Sequence, residues 1–122
     1  MGRVSWFEVH ADDVKRAAAF YGKALGWKIE KWGNEAGYLV ATTGDDSVQG
    51  INGAIMRRMG PNSVWVTVTV GDIDEAVRTV VEAGGVVAQP KREITGVGWV
   101  AYCVDTEGNV FGLHQSPPGI GV

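Results

Sequence analysis

A chain of 122 residues with 45% hydrophobic and 20% charged content has the composition of one soluble globular domain. Its net charge of −3 gives no basic footprint for nucleic acid, and no Lys/Arg cluster exceeds pairs such as Lys15-Arg16, Arg57-Arg58 and Lys91-Arg92. No apolar run approaches the roughly 18–20 residues that span a bilayer, no signal-peptide pattern precedes the first strand, and the single Cys103 excludes an internal disulfide. The expectations are therefore no membrane partner, a cytoplasmic setting, and strand packing for Cys103.

Residues 3–10 alternate as a strand does, which puts Trp6, Glu8 and His10 on one face and Phe7 and Val9 on the other. A helix over 13–25 follows, with an apolar stripe of Val14, Ala17, Ala18, Tyr21, Ala24 and Leu25. Asp12 or Asp13 can cap its first turn and Gly26 can supply a left-handed stop. Strands are expected at 27–33, 37–43 and 49–57, separated by turn material at Gly33-Asn34 and Gly44-Asp45-Asp46. Gly60-Pro61-Asn62 forms a hinge within 58–62, and the pattern then restarts. A strand at 63–70 aligns Trp65, Thr67 and Thr69 on one face. A helix at 72–83 carries Ile73, Ala76, Val77, Val80 and Ala83, and Asp72 with Glu75 resembles a capping box. Strands at 86–93, 97–105 and 109–115 complete the second half, with a turn over 105–109 and an irregular tail over 116–122.

The restart is a repeat. Displacing the chain by 59 residues lays Trp6 on Trp65, Asp13 on Asp72, Ala17 on Ala76, Ala24 on Ala83, Gly26 on Gly85, Gly37 on Gly96, Asp46 on Asp105 and Gly53 on Gly112. These matches fall at strand starts, caps and turns, where backbone geometry restricts the residue. The order is βαβββ twice, about 3–57 and 63–116, within a single α+β domain spanning 1–122. A four-stranded sheet with one helix across one face leaves its other face open, and two such faces can enclose a cavity.

This duplication, with DDVKRAAAFYGKALGW at 12–27, GINGAIMRR at 50–58, DIDEAVRTVVEAGG at 72–85 and PKREITGVGWVAYCVDTEGNVFGLHQ at 90–115, resembles the vicinal oxygen chelate superfamily. That superfamily includes glyoxalase I, extradiol dioxygenases and the fosfomycin- and bleomycin-resistance proteins. The resemblance covers nearly the whole chain and is strongest to the small glyoxalase-like members. It implies a barrel-like pair of mixed sheets, the glyoxalase/bleomycin resistance/dioxygenase fold, and a homodimer. In metal-using members the first and last strands of each repeat supply His or Glu ligands. Those positions fall here on Trp6, Trp65 and Gly112, with the mate of Gly112 at Gly53 or Asn52. None is a normal metal ligand, since an indole N–H only donates and glycine has no side chain. No metal and no cofactor are expected.

Glu8, His10 and His114 are the ionisable residues on strands that line the cavity in relatives, and Glu8 is the catalytic candidate. Glu8 can act as a hydrogen-bond acceptor for a ligand or as a base, or can bond an indole N–H. His10 can sit on a solvated rim, and His114 can close a sheet edge or a subunit contact. Trp6 and Trp65 stand at equivalent positions; each can bury on the order of 200 Å², worth up to about 5 kcal/mol. They either fill the cavity or floor a pocket, and Gly53 and Gly112 leave room for the second. Thr67 and Trp99 complete the expected ligand-binding set of Trp6, Glu8, His10, Trp65 and His114. The leading functional expectation is metal-free binding of a small apolar or aromatic molecule. The alternatives are a lyase, isomerase or dioxygenase using Glu8 with His10 or His114, with or without a divalent metal, and a non-catalytic dimer working through its surface.

Overall fold

The computed structural model describes residues 2–119, so the last three residues of the expected irregular tail, 120–122, lie outside the described residues. The chain has an α+β fold that divides into two compact units, one from Trp6 to Val64 and the other from Trp65 onward together with the residues before Trp6. The first half contains β1 (Arg3–Ala11), α1 (Val14–Leu25), β2 (Lys28–Lys31), β3 (Tyr38–Thr42) and β4 (Gly53–Arg57). Its strands run in the order β2-β3-β4-β1, antiparallel except for the parallel pair β1 and β4. The second half repeats the plan with β5 (Val64–Thr69), α2 (Ile73–Glu82), β6 (Val86–Ile94), β7 (Gly98–Val104) and β8 (Val110–Gln115). There the order is β6-β7-β8-β5, with β5 and β8 parallel.

The helix starts follow from the capping aspartates. Asp13 accepts the Arg16 backbone N–H at 3.0 Å, and Asp72 accepts that of Glu75 at 3.1 Å, satisfying donors the helix leaves open. The stops differ between the repeats. Gly26 ends α1 at φ 74°, whereas α2 ends at Ala83 and the positive φ falls on Gly84, at 103°. Gly85, the sequence partner of Gly26, is needed for space instead. A Cβ there would stand 2.7 Å from Val80 Cγ1 and 2.9 Å from the Val104 carbonyl oxygen.

Two further expectations are corrected. The fourth strand begins at Gly53, not at 49. Before it, Asn52 Oδ1 accepts the Thr43 N–H at 2.9 Å and the Thr43 hydroxyl donates to the Ile51 carbonyl at 2.6 Å, so side-chain bonds replace the ladder. The stripe on α1 also ends early: Ala24 and Leu25 are exposed, while Val14, Ala17, Ala18 and Tyr21 are half-buried.

Beneath α1, Tyr21 stacks on Trp27 at 4.7 Å and Trp27 meets Phe7 at 5.5 Å. That contact fixes Phe7 to the helix-covered face and, by alternation, Trp6, Glu8 and His10 to the opposite one. In the second unit Val70, Ile73, Ala101, Cys103 and Leu113 form the core under α2, and Trp99 and Phe111 pack against it. Cys103 is fully buried and burial raises its thiol pKa, in keeping with a packing role.

Candidate functional site

The face of the N-terminal unit opposite α1 carries a polar chain built on aromatic residues. Glu8, only 4% exposed, accepts a hydrogen bond from the Tyr38 hydroxyl. The Tyr38 oxygen in turn accepts the Trp6 indole N–H at 3.2 Å. Trp32 meets the Tyr38 ring edge-on at 5.9 Å and is itself 39% exposed. The register explains the meeting: Tyr38 pairs with Met56, and Met56 pairs with His10. Tyr38 thus lies in the cross-strand row of His10, and its long side chain reaches diagonally to Glu8 in the next row. The chain has one direction, because an indole N–H only donates: Trp6 to Tyr38 to the Glu8 carboxylate. Trp6 and Glu8 were expected here; Tyr38 and Trp32 were not singled out. The available signal for Tyr38 was its place after Gly37, whose φ of 78° makes the turn that begins β3.

His10 is not a solvated rim residue. It is 4% exposed, its backbone N–H donates to the Ser63 carbonyl at 2.8 Å, and its Nδ1 accepts the Met59 backbone N–H at 3.2 Å. The ring therefore holds the segment that follows β4, where Arg58 also pairs with Asp12 at 2.8 Å. An accepting Nδ1 places the neutral ring's hydrogen on Nε2. Burial of the ring lowers the His10 pKa; the Glu8 carboxylate opposes that and the Arg58 guanidinium reinforces it. Above an unfolded-state value of 6.5 both states are neutral at His10 and stability is undiminished. Below it the unfolded chain takes up a proton that the fold resists, so stability falls with pH toward the lower folded value. Urea unfolding at pH 7.5 and 5.5 is expected to show this loss in the native protein and a smaller one in His10→Asn, which keeps an acceptor for Met59 and cannot titrate. Equal losses would remove His10 as the cause.

The C-terminal unit is closed at the corresponding place. Trp65 is 6% exposed and its ring lies 5.2 Å from that of Tyr102. Gly112 leaves no vacant space beside them: a Cβ there would stand 2.7 Å from Thr67 Oγ1 and 3.2 Å from Tyr102 Cε1. Thr67 thus serves as packing against Gly112. The pairing of Thr67 with Gly112 and of Glu8 with Ala54 also shows that Ala54, not Gly53, is the structural mate of Gly112. Gly53 belongs to the other face, where a Cβ would meet the Phe7 carbonyl and stand 2.5 Å from Phe7 Cδ1. Its missing side chain makes room for Phe7 and not for a ligand.

His114 is engaged at both nitrogens. Nε2 lies 2.6 Å from the Val97 carbonyl, and Nδ1 lies 3.1 Å from Thr69 Oγ1, which is 2.6 Å from Ser5 Oγ. A carbonyl only accepts, so Nε2 donates; in the neutral ring Nδ1 then accepts from Thr69, which accepts from Ser5. His114 ties β8 to the β6–β7 turn. Trp99, expected among the ligand-binding residues, stands with the helix-side core and not on the face of Trp65.

The positions that hold a divalent metal elsewhere in the resembling superfamily do not fit one here. The Trp6 indole donates to Tyr38, Trp65 packs on Tyr102, the space at Gly112 is filled, and Asn52 Oδ1 is used by Thr43. Among the described residues no three His, Cys, Asp or Glu side chains gather as a metal site would require.

Comparison with known proteins agrees with this layout. The glyoxalase-like domain family matches residues 6–114. No curated protein sequence matches the chain. Among solved structures, a glyoxalase/bleomycin resistance protein/dioxygenase superfamily member from Vibrio splendidus 12B01 aligns at 16% identity and TM-score 0.69, covering 96% of this chain and 100% of its own. A hypothetical protein from Bacillus halodurans C-125 aligns at 13% identity and TM-score 0.68, with 99% of each chain covered. Methylmalonyl-CoA epimerase from Mycobacterium tuberculosis aligns at 15% identity and TM-score 0.65, covering 94% of this chain and 88% of its own. At these identities the likeness concerns the fold.

Proposed function

Given that this chain belongs to the glyoxalase-like domain family, we propose that it is a small-molecule binding protein whose recognition group is the Glu8 carboxylate in the N-terminal unit. The observation carrying this reading is the directed chain from Trp6 through Tyr38 to a carboxylate that is 4% exposed. A carboxylate on a sheet face beside aromatic residues is an acceptor that a ligand's hydrogen-bond donor can meet. The C-terminal copy of the same face has Thr67 where the first has Glu8, and packs shut around Gly112. The duplication is thus read as one recognition unit and one packing unit. The ligand would present an apolar or aromatic body to Trp6 and Trp32 and a hydrogen-bond donor to Glu8.

The test is a screen of small aromatic compounds by indole emission. Binders are expected, with Trp6→Phe weakening them by about threefold or more through loss of the donor that holds Tyr38. Trp65→Phe should leave their affinity unchanged. No response across the screen, or equal dependence on the two tryptophans, would defeat the reading. The same buried carboxylate also favours a second reading, proton abstraction from a carbon acid with Glu8 as the base. A bound carbon acid whose hydrogen exchanges with solvent in the native protein and not in Glu8→Gln would put that enzyme reading in place of the binding one.

A further inference from the structure

The outer strands of the two units are guarded differently. β6 carries Pro90 with Lys91 and Arg92 and shifts register twice against β7, devices that keep a further strand from adding. β2 pairs regularly with β3 through all four of its residues, and among the described residues no strand lies on its other side. We propose that a second copy of this chain adds there, β2 against β2, antiparallel and centred on Ile29. Such an interface is independent of what Glu8 binds.

Charge selects the register. A strand paired antiparallel with its own copy has a two-fold axis normal to the sheet, which keeps equal faces on the same side. Because side chains alternate, only registers in which one residue meets its own copy are then open. Centred on Lys28 or Lys31, the pair sets lysine against lysine; centred on Glu30, it sets glutamate against glutamate. Centred on Ile29, it sets Lys28 opposite Glu30 of the partner subunit, and Glu30 opposite Lys28 of the partner subunit. The two side chains already share one face of β2, with Nζ and Oε1 3.7 Å apart, and they are 74% and 61% exposed. Directly opposite charges attract across a strand pair and like charges repel. Lysines that ordinarily keep an edge from pairing thus become contacts in one register alone.

The helix side of this edge adds apolar surface. Leu25, 59% exposed, ends α1, and Gly26 and Trp27 lead directly into β2. Phe20, 61% exposed, stands edge-on at 5.2 Å to Tyr21, whose ring stacks on Trp27. An axis normal to the sheet places both α1 helices on one face of the joined strands, where Phe20 and Leu25 of the two copies can be covered.

Light scattering and sedimentation of the full chain are expected to show a dimer at about 100 μM. Lys28→Glu sets only glutamates across the axis and Glu30→Lys only lysines, so each should weaken self-association by about tenfold or more. Mixed in equal amounts, the two variants should recover the native association as a heterodimer, because each lysine then meets a glutamate. The contact between Lys28 and Glu30 within one chain is lost in both variants and is not regained on mixing, so recovery reports the cross-strand pairs. The double variant Lys28→Glu with Glu30→Lys should self-associate like the native protein and not exchange subunits with it, which carries the test if a single variant does not fold. A native chain that is monomeric at this concentration would overturn the proposal. So would a dimer indifferent to both single variants, a mixture that stays monomeric, or free exchange between the double variant and the native protein.

Discussion

Gly53→Ala is expected to destabilise the fold by about 3 kcal/mol, at the upper end of what overpacking usually costs. The new Cβ would meet the Phe7 carbonyl oxygen and stand 2.5 and 2.6 Å from two carbons of the Phe7 ring. Phe7 cannot swing away easily: Trp27 lies against it at 5.5 Å, and β1 pairs with β4 at this residue. Gly112→Ala should cost less, about 1–2 kcal/mol, because the nearest atom is the Thr67 hydroxyl at 2.7 Å, on a side chain that can be shortened. The pair Gly112→Ala with Thr67→Ala should therefore recover much of that loss, a coupling that independent sites would not show. Urea midpoints at constant slope measure Gly53→Ala, Gly112→Ala, Thr67→Ala alone and the pair. A Gly53→Ala midpoint equal to that of the native protein would mean that Phe7 is not held as described. Absence of coupling at Gly112 would mean that Thr67 is not what fills its space.

His114→Phe is expected to cost about 2–4 kcal/mol, because it leaves two partners, Thr69 and the Val97 carbonyl, without the ring nitrogens they now meet. His114→Gln retains an N–H that can reach the Val97 carbonyl and should lose less. This ordering separates a structural role from a catalytic one. A His114→Phe chain as stable as the native protein would refute the structural assignment; a destabilised one whose ligands bind as before, once folded at lower temperature, would support it.

How far the sequence could be read depended on the kind of constraint each residue was under. Asp72, Gly26 and an aspartate cap for α1 at Asp12 or Asp13 were legible because a cap or a left-handed turn admits few residue types, and the structure selects Asp13. The facing of Trp6, Glu8 and His10 was legible because a strand alternates regardless of what it packs against. The equivalence of Gly53 and Gly112 was misleading. A constant displacement of 59 residues ignores loop lengths that differ between the copies, and a slip of one residue turns a side chain to the opposite face of a sheet. Glycine occurs at both positions for different reasons, to admit Phe7 on one face and Thr67 with Tyr102 on the other.

By itself, then, the sequence determined the duplicated βαβββ order and the start of each helix, which follow from local periodicity and the chemistry of single residues, while the resemblance carried by its motifs pointed to the family and to metal positions that tryptophan and glycine fit poorly. Only the tertiary structure decided that Tyr38 closes on Glu8, that His10 holds the segment after β4, that His114 is engaged at both nitrogens, and that Trp99 belongs to the core. Each of these depends on cross-strand register and on where a long side chain ends. Those are settled by residues far apart in the chain, such as Tyr38 and Glu8 meeting through the pairing of β3, β4 and β1, and no local pattern encodes them.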